Sequence, residues 1–329
     1  MKKWITILSG VLAVQAVLAV ALNLRGEDYG TFKPQEKLLA FDAAKVDEVR
    51  MTDGDHSLDL RKQDGQWQLP GSSGFPADQA SVARLLDELG AMRKGWPVAT
   101  TTGALKRFKV DDKDFERKVT LLSDDKPQAI LYVGTSPGFR KVNARPAGDS
   151  AVYSVAFNAY EVNPEANDWL DKSILKLDAK DIARVEMPGF TLQRDGESLR
   201  VENLDPKEQT NEQAAGALLE SLATLRIDGL LGTEPEPDYH LDKPDLEVKV
   251  TRKDGDVLDY RFSKPAKASY YVLKRSDLGD YFKVTEFSVK PIRDDARDKL
   301  VQAKVAAEAK PEPPVQHARA DIVTRTRSR

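Results

Sequence analysis

The stretch LLAFDAAKVDEVRM (residues 38–51) returns as ILKLDAKDIARVEM (residues 174–187), and this repetition constrains the fold more than any other feature of the chain. Phe41/Leu177, Asp42/Asp178, Val46/Ile182, Val49/Val185 and Met51/Met187 stay in step 136 residues apart. Two further blocks follow in the same order. LLDEL (residues 85–89) matches LLESL (residues 218–222), and FKVDDKDFERKVT (residues 108–120) matches YHLDKPDLEVKVT (residues 239–251), where Asp111/Asp242, Lys118/Lys249, Val119/Val250 and Thr120/Thr251 are identical. The separation narrows to 133 and then 131 residues, as trimming of loops between fixed elements would produce. A tandem duplication is therefore predicted, with a first repeat over residues 37–173 and a second over 174–302.

Each repeat reads as strands around one helix. VDEVRMT and SLDLRK alternate with a short period, and Asp64-Gly65 then supplies a hairpin turn before QWQLP. Over residues 78–93, Val82, Leu85, Leu86, Leu89 and Met92 form one apolar stripe at helical spacing. Ala215, Leu218, Leu219, Leu222 and Leu225 repeat that stripe, with Thr210 and Gln213 placed as a capping box. Strand-like runs follow both helices: KVTLLS, AILYVG, KVNARP and AVYSVAF, then EVKVTRK, LDYRFS, YYVLKR and DYFKVT. The predicted class is α+β: two units of roughly 130 residues, an ordinary domain size, each a mostly antiparallel sheet packed with one or two helices. A short terminal helix over residues 164–171 is expected where they join.

The ends speak to location. Lys2 and Lys3 precede an apolar run over residues 4–22, and Arg25, Glu27 and Asp28 then open a polar chain. About 19 helical residues at ~1.5 Å each span a bilayer core, so residues 1–27 are predicted to be an N-terminal anchor. Ala19-Val20-Ala21 keeps a cleaved signal peptide open as the alternative. In a bacterium, either reading leaves the N-terminus cytoplasmic and the bulk of the chain periplasmic, as a single-pass inner-membrane protein in the anchored case. Residues 303–329 carry clustered proline and no apolar periodicity and are predicted to be a disordered tail.

Composition narrows the chemistry. With 50 basic and 53 acidic residues the formal net charge is -3, so no nucleic-acid footprint is expected. The chain has no cysteine, which removes thiol catalysis, thiolate metal sites and disulfides together. GTSPG (residues 134–138) fits the nucleophile-elbow pattern, but Pro137 has no N–H to offer an oxyanion, so Ser136 reads as a turn residue. His56, His240 and His317 lack metal-ligand spacing, while Asp53-Gly54-Asp55 and residues 111–114 lack the glycine and distal glutamate of a calcium loop. No phosphate-binding glycine pattern occurs. No catalytic, cofactor-binding or metal residue is assigned. Trp67, Trp96, Trp169, Tyr132, Tyr153, Tyr270, Tyr271 and Tyr281 are candidates for a sugar or peptide groove, with packing against the sheet as the competing reading.

YHLDKPDLEVKV (residues 239–250) resembles a motif of the domain-of-unknown-function family 4340 (DUF4340). DGQWQLP, the Leu85/Leu86/Leu89 helix, ILYVGT and AVYSV follow that family's order. The resemblance covers about residues 37–301. The first copy lacks the proline at residues 108–113 and the second lacks the tryptophan near Ser198 and Leu199, as diverged copies would. The resemblance implies an envelope protein encoded beside components of gliding-motility-type ABC transporters, and it supplies no catalytic residue. The expectation is thus a non-catalytic binding or accessory subunit of an ABC-type export system, with permease and ATPase components as partners. An envelope hydrolase or glycan-processing enzyme using two converging carboxylates, and a structural spacer, are the alternatives.

Overall fold

A computed structural model describes residues 10–15, 17, 35–294 and 297–304. Most of the expected anchor and the tail beyond residue 304 lie outside these. Among the described residues no helix is long and apolar enough to cross a membrane.

Nine strands form the first sheet: β1 (Glu48–Thr52), β2 (Ser57–Gln63), β3 (Gln66–Leu69), β4 (Phe75–Pro76), β5 (Pro97–Ala99), β6 (Arg117–Ser123), β7 (Lys126–Val133), β8 (Lys141–Pro146) and β9 (Val152–Ala156). Their order is β4-β3-β2-β1-β6-β7-β8-β9-β5. Next come β10 (Ile182–Met187), β11 (Phe190–Asp195), β12 (Ser198–Val201), β13 (Glu208–Thr210), β14 (Gly229–Gly232), β15 (Leu246–Arg252), β16 (Val257–Ser263), β17 (Tyr270–Arg275), β18 (Tyr281–Thr285) and β19 (Val301–Ala303). The second sheet runs β12-β11-β10-β15-β16-β17-β18-β14, and β13 pairs with β19 in a separate ribbon. Every pairing is antiparallel. The class is mixed α and β with few helices. Apart from β4, the two sheets have the same strand order.

The blocks that match in sequence do not share one register. Val49 pairs with Leu121, whereas Val185 pairs with Val250, the residue that matches Val119. A slide of two residues keeps each side chain on its original face, because strand side chains alternate with period two, so both versions bury the same set.

Among the described residues from 35 onward, five helices accompany the sheets: α1 (Gln79–Ala91), α2 (Thr102–Arg107), α3 (Glu212–Ala223), α4 (Glu286–Arg293) and α5 (Arg297–Leu300). The stripe read from the sequence is the buried face of α1, with Val82, Leu85, Leu86 and Leu89 against the sheet. Asp78 caps α1 by accepting from the N–H groups of Ala80 and Ser81. Asn211, rather than Thr210, caps α3, accepting from Ala214 N–H. The Thr210 hydroxyl accepts instead from Val201 N–H at 2.9 Å, which ties the ribbon to the edge of the second sheet.

A single buried cluster runs through both sheets, and the rings of Phe75 and Phe282 meet edge-on across it at 6.1 Å. The joining segment holds only a 3-10 turn, Ala166–Asp168, in place of the expected helix. Its backbone is taken up elsewhere: Leu170 bridges to Ala77, Asp78 N–H donates to Trp169 O at 2.8 Å, and Asp171 N–H to Pro76 O at 2.9 Å. Those bonds leave too few groups free for helical pairing. The last strand, β19, ends at Ala303.

Candidate binding cleft

After β18 the chain enters α4, whose buried Val289 and Ile292 pack beside α3. After β9 it makes only a 3-10 turn, Ala159–Val162, capped by Asn158 accepting from Tyr160 N–H at 3.2 Å. Beside the end of α1 and this turn lies a cleft of about 680 Å³, within the range of ligand sites. Its apolar lining is the edge of the core: Met92, Val155 and Phe157, with Ala91 and Ala156. Residues 35–38 close one side through Gln35 N–H to Lys94 O (3.1 Å) and Leu38 N–H to Met92 O (3.0 Å).

The charges of the cleft differ in how far they are already paired. Arg93 donates to the carbonyls of Gly90, Ala91 and Met92, satisfying the C-terminal end of α1. Lys94 meets Asp149 at 3.4 Å and lies 5.6 Å from the centroid of the Tyr153 ring. Glu161 has Arg84 at 3.9 Å. The Glu88 carboxyl makes neither hydrogen bond nor close ion pair among the described residues, and partial burial, then the nearby Glu161 charge, push it above the usual glutamate value against the pull of Arg84. Arg140 has no carboxylate partner among the described residues; its guanidinium lies 5.2 Å from the Phe139 ring centroid.

Three exposed aromatic residues adjoin the cleft residues in the chain. Trp96, Phe139 and Tyr160 are chain neighbours of the cleft residues Gly95, Arg140 and Glu161, and are 72%, 88% and 77% exposed. Of the eight aromatic candidates, only Trp96 stands out in this way. Trp67, Trp169, Tyr132, Tyr153 and Tyr271 are buried packing residues, and Tyr270 and Tyr281 lie half-buried near Lys283 and Lys274. Phe139 and Tyr160 escaped the sequence reading. Their signal was an aromatic inside turn-forming sequence, after Pro137-Gly138 and after the Asn158 cap, where no strand periodicity asks for one.

The remaining candidates are dispersed. Ser136 Oγ donates toward the carbonyls of Gly138 (2.8 Å) and Lys141 (2.7 Å), closing the β7–β8 turn. Gly134 is required there by space, since a Cβ would fall 1.9 Å from Phe108 O. His56 caps the β1–β2 turn with Asp53 at 3.3 Å, His240 ends a 3-10 turn with φ 50°, and His317 lies outside the described residues. Asp112 pairs with Arg145, which holds its carboxyl below the usual aspartate value, and Asp114 pairs with Lys109 at 2.8 Å. Among the described residues no group of three or more His, Asp or Glu is disposed to hold a metal ion.

No curated protein and no solved structure matches the chain. Residues 67–244 match the family described as "Domain of unknown function (DUF4340)". The match opens at Trp67 of the W-x-L strand and closes at Pro244 of YHLDKP, spanning parts of both sheets and more than half of the chain. On that match, the chain belongs to the DUF4340 family.

Proposed function

We propose that this protein is a membrane-anchored binding subunit facing the bacterial periplasm, built from two diverged copies of one module and working without catalysis beside an ABC-type export system. The observation that carries the binding role is the cleft beside α1, with its apolar lining and half-buried Glu88. The basic start and apolar run over residues 4–22 support the anchor. Shared strand order and the matched sequence blocks support the duplication. The two modules differ after their last long strand, where the first makes a 3-10 turn and the second a helix, as diverged copies would. The test is affinity purification of the tagged full-length chain from native membranes in mild detergent. Enrichment of an ABC permease and its ATPase over an anchor-only control supports the reading, and recovery of the chain alone overturns it. Deleting residues 4–22 and supplying a cleavable signal should abolish function while the modules stay folded.

One observation favours a second reading, an envelope glycan hydrolase: Glu88 and Glu161 line the same cleft, and the raised carboxyl of Glu88 is suited to carry a proton. Turnover of cell-wall glycan by the full-length chain, lost in Glu88→Gln and in Glu161→Gln, would establish it in place of the binding role.

A further inference from the structure

Building on the reading of residues 4–22 as a membrane anchor, we propose that the end of the first sheet where the chain enters it, carrying Trp96, Phe139, Arg140 and Tyr160, rests on the anionic lipid surface of the membrane that holds the anchor.

Strand register brings the four residues to one end of the sheet. Lys141 pairs with Ala156 and Pro97 with Tyr153, so β8 and β5 both begin beside the last residues of β9. Phe139 and Arg140 come just before β8, Trp96 just before β5, and Tyr160 in the turn that follows β9. Arg140 O accepts from Phe157 N–H at 3.1 Å, which fastens the β7–β8 turn to the end of β9. The chain arrives at the same place: Gln35 N–H donates to Lys94 O at 3.1 Å, and Lys94 N–H donates to Glu36 O at 2.8 Å, close in the chain to Trp96.

That point of entry selects lipid as the occupant. Only residues 23–34 separate the apolar run from Gln35, a reach of about 40 Å even when fully extended. This end is therefore held near the bilayer at high effective concentration, where weak contacts suffice for docking. The helical residues Val11, Leu12, Val14 and Val17 are exposed among the described residues, as residues that face lipid would be.

The chemistry of this end agrees with a headgroup layer. Trp and Tyr settle at the bilayer–water interface, and Trp96, Phe139 and Tyr160 are large rings left mostly exposed. The Arg140 guanidinium lies 5.2 Å from the Phe139 ring centroid and that of Arg117 5.9 Å from the Tyr160 ring centroid, so ring and cation are presented together. Over residues 35–37, 93–95 and 139–141 the exposed charges are Lys37, Arg93, Arg140 and Lys141 against Glu36, whereas the cleft acids Glu88 and Glu161 are half-buried. Each basic residue held at an anionic surface strengthens attachment about fivefold.

The test uses the full-length chain in vesicles of phosphatidylethanolamine and phosphatidylglycerol. The chain has no cysteine, so Phe139→Cys accepts a single nitroxide label. Lys126→Cys, exposed at the opposite end of β7 and about 25 Å along the strand, gives the reference. Oxygen, which concentrates in lipid, should dominate relaxation of the label at 139, and a water-soluble nickel chelate should dominate at 126. Arg140→Gln should lower the docked-to-free ratio about fivefold, and replacing phosphatidylglycerol with phosphatidylcholine should lower it further. Unfolding midpoints of the labelled variants and of Arg140→Gln show that the fold is kept. A label at 139 open to the nickel chelate, on a chain that floats with the vesicles, overturns the proposal and leaves the anchor reading intact. A label at 139 shielded from both reagents marks a protein contact and overturns it as well. Accessibility unchanged by Arg140→Gln and by loss of the anionic lipid overturns the anionic surface as the occupant. A chain that does not float with the vesicles overturns the anchor reading and the proposal together.

Discussion

Arg145 stands directly opposite Tyr132 on neighbouring strands, its guanidinium carbon 4.6 Å from the ring centroid and the residue only 3% exposed. Its Nε donates to Val110 O at 2.7 Å, its Nη1 to Asp149 O at 3.1 Å, and its other Nη to Asp112. The second sheet has a comparable pair, Arg275 opposite Tyr260 with 5.7 Å between guanidinium and ring. The two pairs lie on different faces. Tyr132 belongs to a small satellite cluster with Val110 and Val152, whereas Tyr260 belongs to the main core. They are therefore separate solutions to burying an arginine, one within each sheet.

Replacing Arg145 with methionine keeps the stem but removes the fork. The Val110 and Asp149 carbonyls lose their donor, while the exposed Asp112 is rehydrated at little cost, so the loss should be about 2–4 kcal/mol. Arg145→Lys should recover less than half, because one ammonium cannot reach three acceptors in fixed directions. Urea unfolding of both variants measures this; a loss below about 0.5 kcal/mol for the methionine would show that the network contributes nothing net.

How much of this was legible depends on range. The strands, the Asp64-Gly65 turn and the stripe of α1 were readable because period and turn chemistry are local. The cap of α3 was misplaced by one residue, since Thr210 and Asn211 are both good caps and the choice is made by Val201 N–H, a tertiary partner. The cleft was not readable. In the sequence Glu88 is one polar residue among several on α1, and only the 3-10 turn after β9, which brings Glu161 near, gives it an environment. Which aromatic is packed and which is presented depends likewise on the sheet face each occupies, and a two-residue register slide between matched blocks cannot be seen in the blocks themselves.

Gly134 and Ser136 should separate cleanly in the G-x-S-x-G turn. Gly134→Ala forces a Cβ to within 1.9 Å of the Phe108 carbonyl, so backbone must shift and the cost should be about 3 kcal/mol or more. Ser136→Ala removes an exposed hydroxyl that closes a turn and should cost under about 1 kcal/mol. Thermal unfolding of the pair checks the order, and a Ser136→Ala variant that keeps full function while losing little stability would close the hydrolase-elbow reading.

Tyr153 should make stability fall at high pH. Burial, then the Asp149 charge to which its hydroxyl donates at 3.2 Å, push its phenol up to about 12. The folded value lies above the ordinary 10.0, so the stabilisation is fully present below the ordinary value and is lost as pH rises through the folded one. The stability difference between the wild type and Tyr153→Phe should therefore be flat at neutral pH and shrink between pH 10 and 12. Urea midpoints measured in parallel across that window cancel the other tyrosines and lysines, and a difference that stays constant would place the phenol outside the influence of Asp149.

Glu88 should be a residue whose removal steadies the fold and weakens binding. Burial, then Glu161, raise its carboxyl, while Arg84 works in the opposite direction. A carboxyl raised on folding contributes stability only below its ordinary value and loses that contribution as pH rises through the folded value, so at neutral pH its charge is carried at a cost. Glu88→Gln should accordingly raise the urea midpoint at pH 7 and change it little in acid, where both states hold the proton. The same substitution should lower partner recovery from membranes, because it removes a half-buried charge from the proposed binding cleft. Natural chains retain such destabilising groups where a site needs them. A Glu88→Gln variant that unfolds more easily at pH 7 would make Glu88 a structural residue and take away the main support for ligand capture in the cleft.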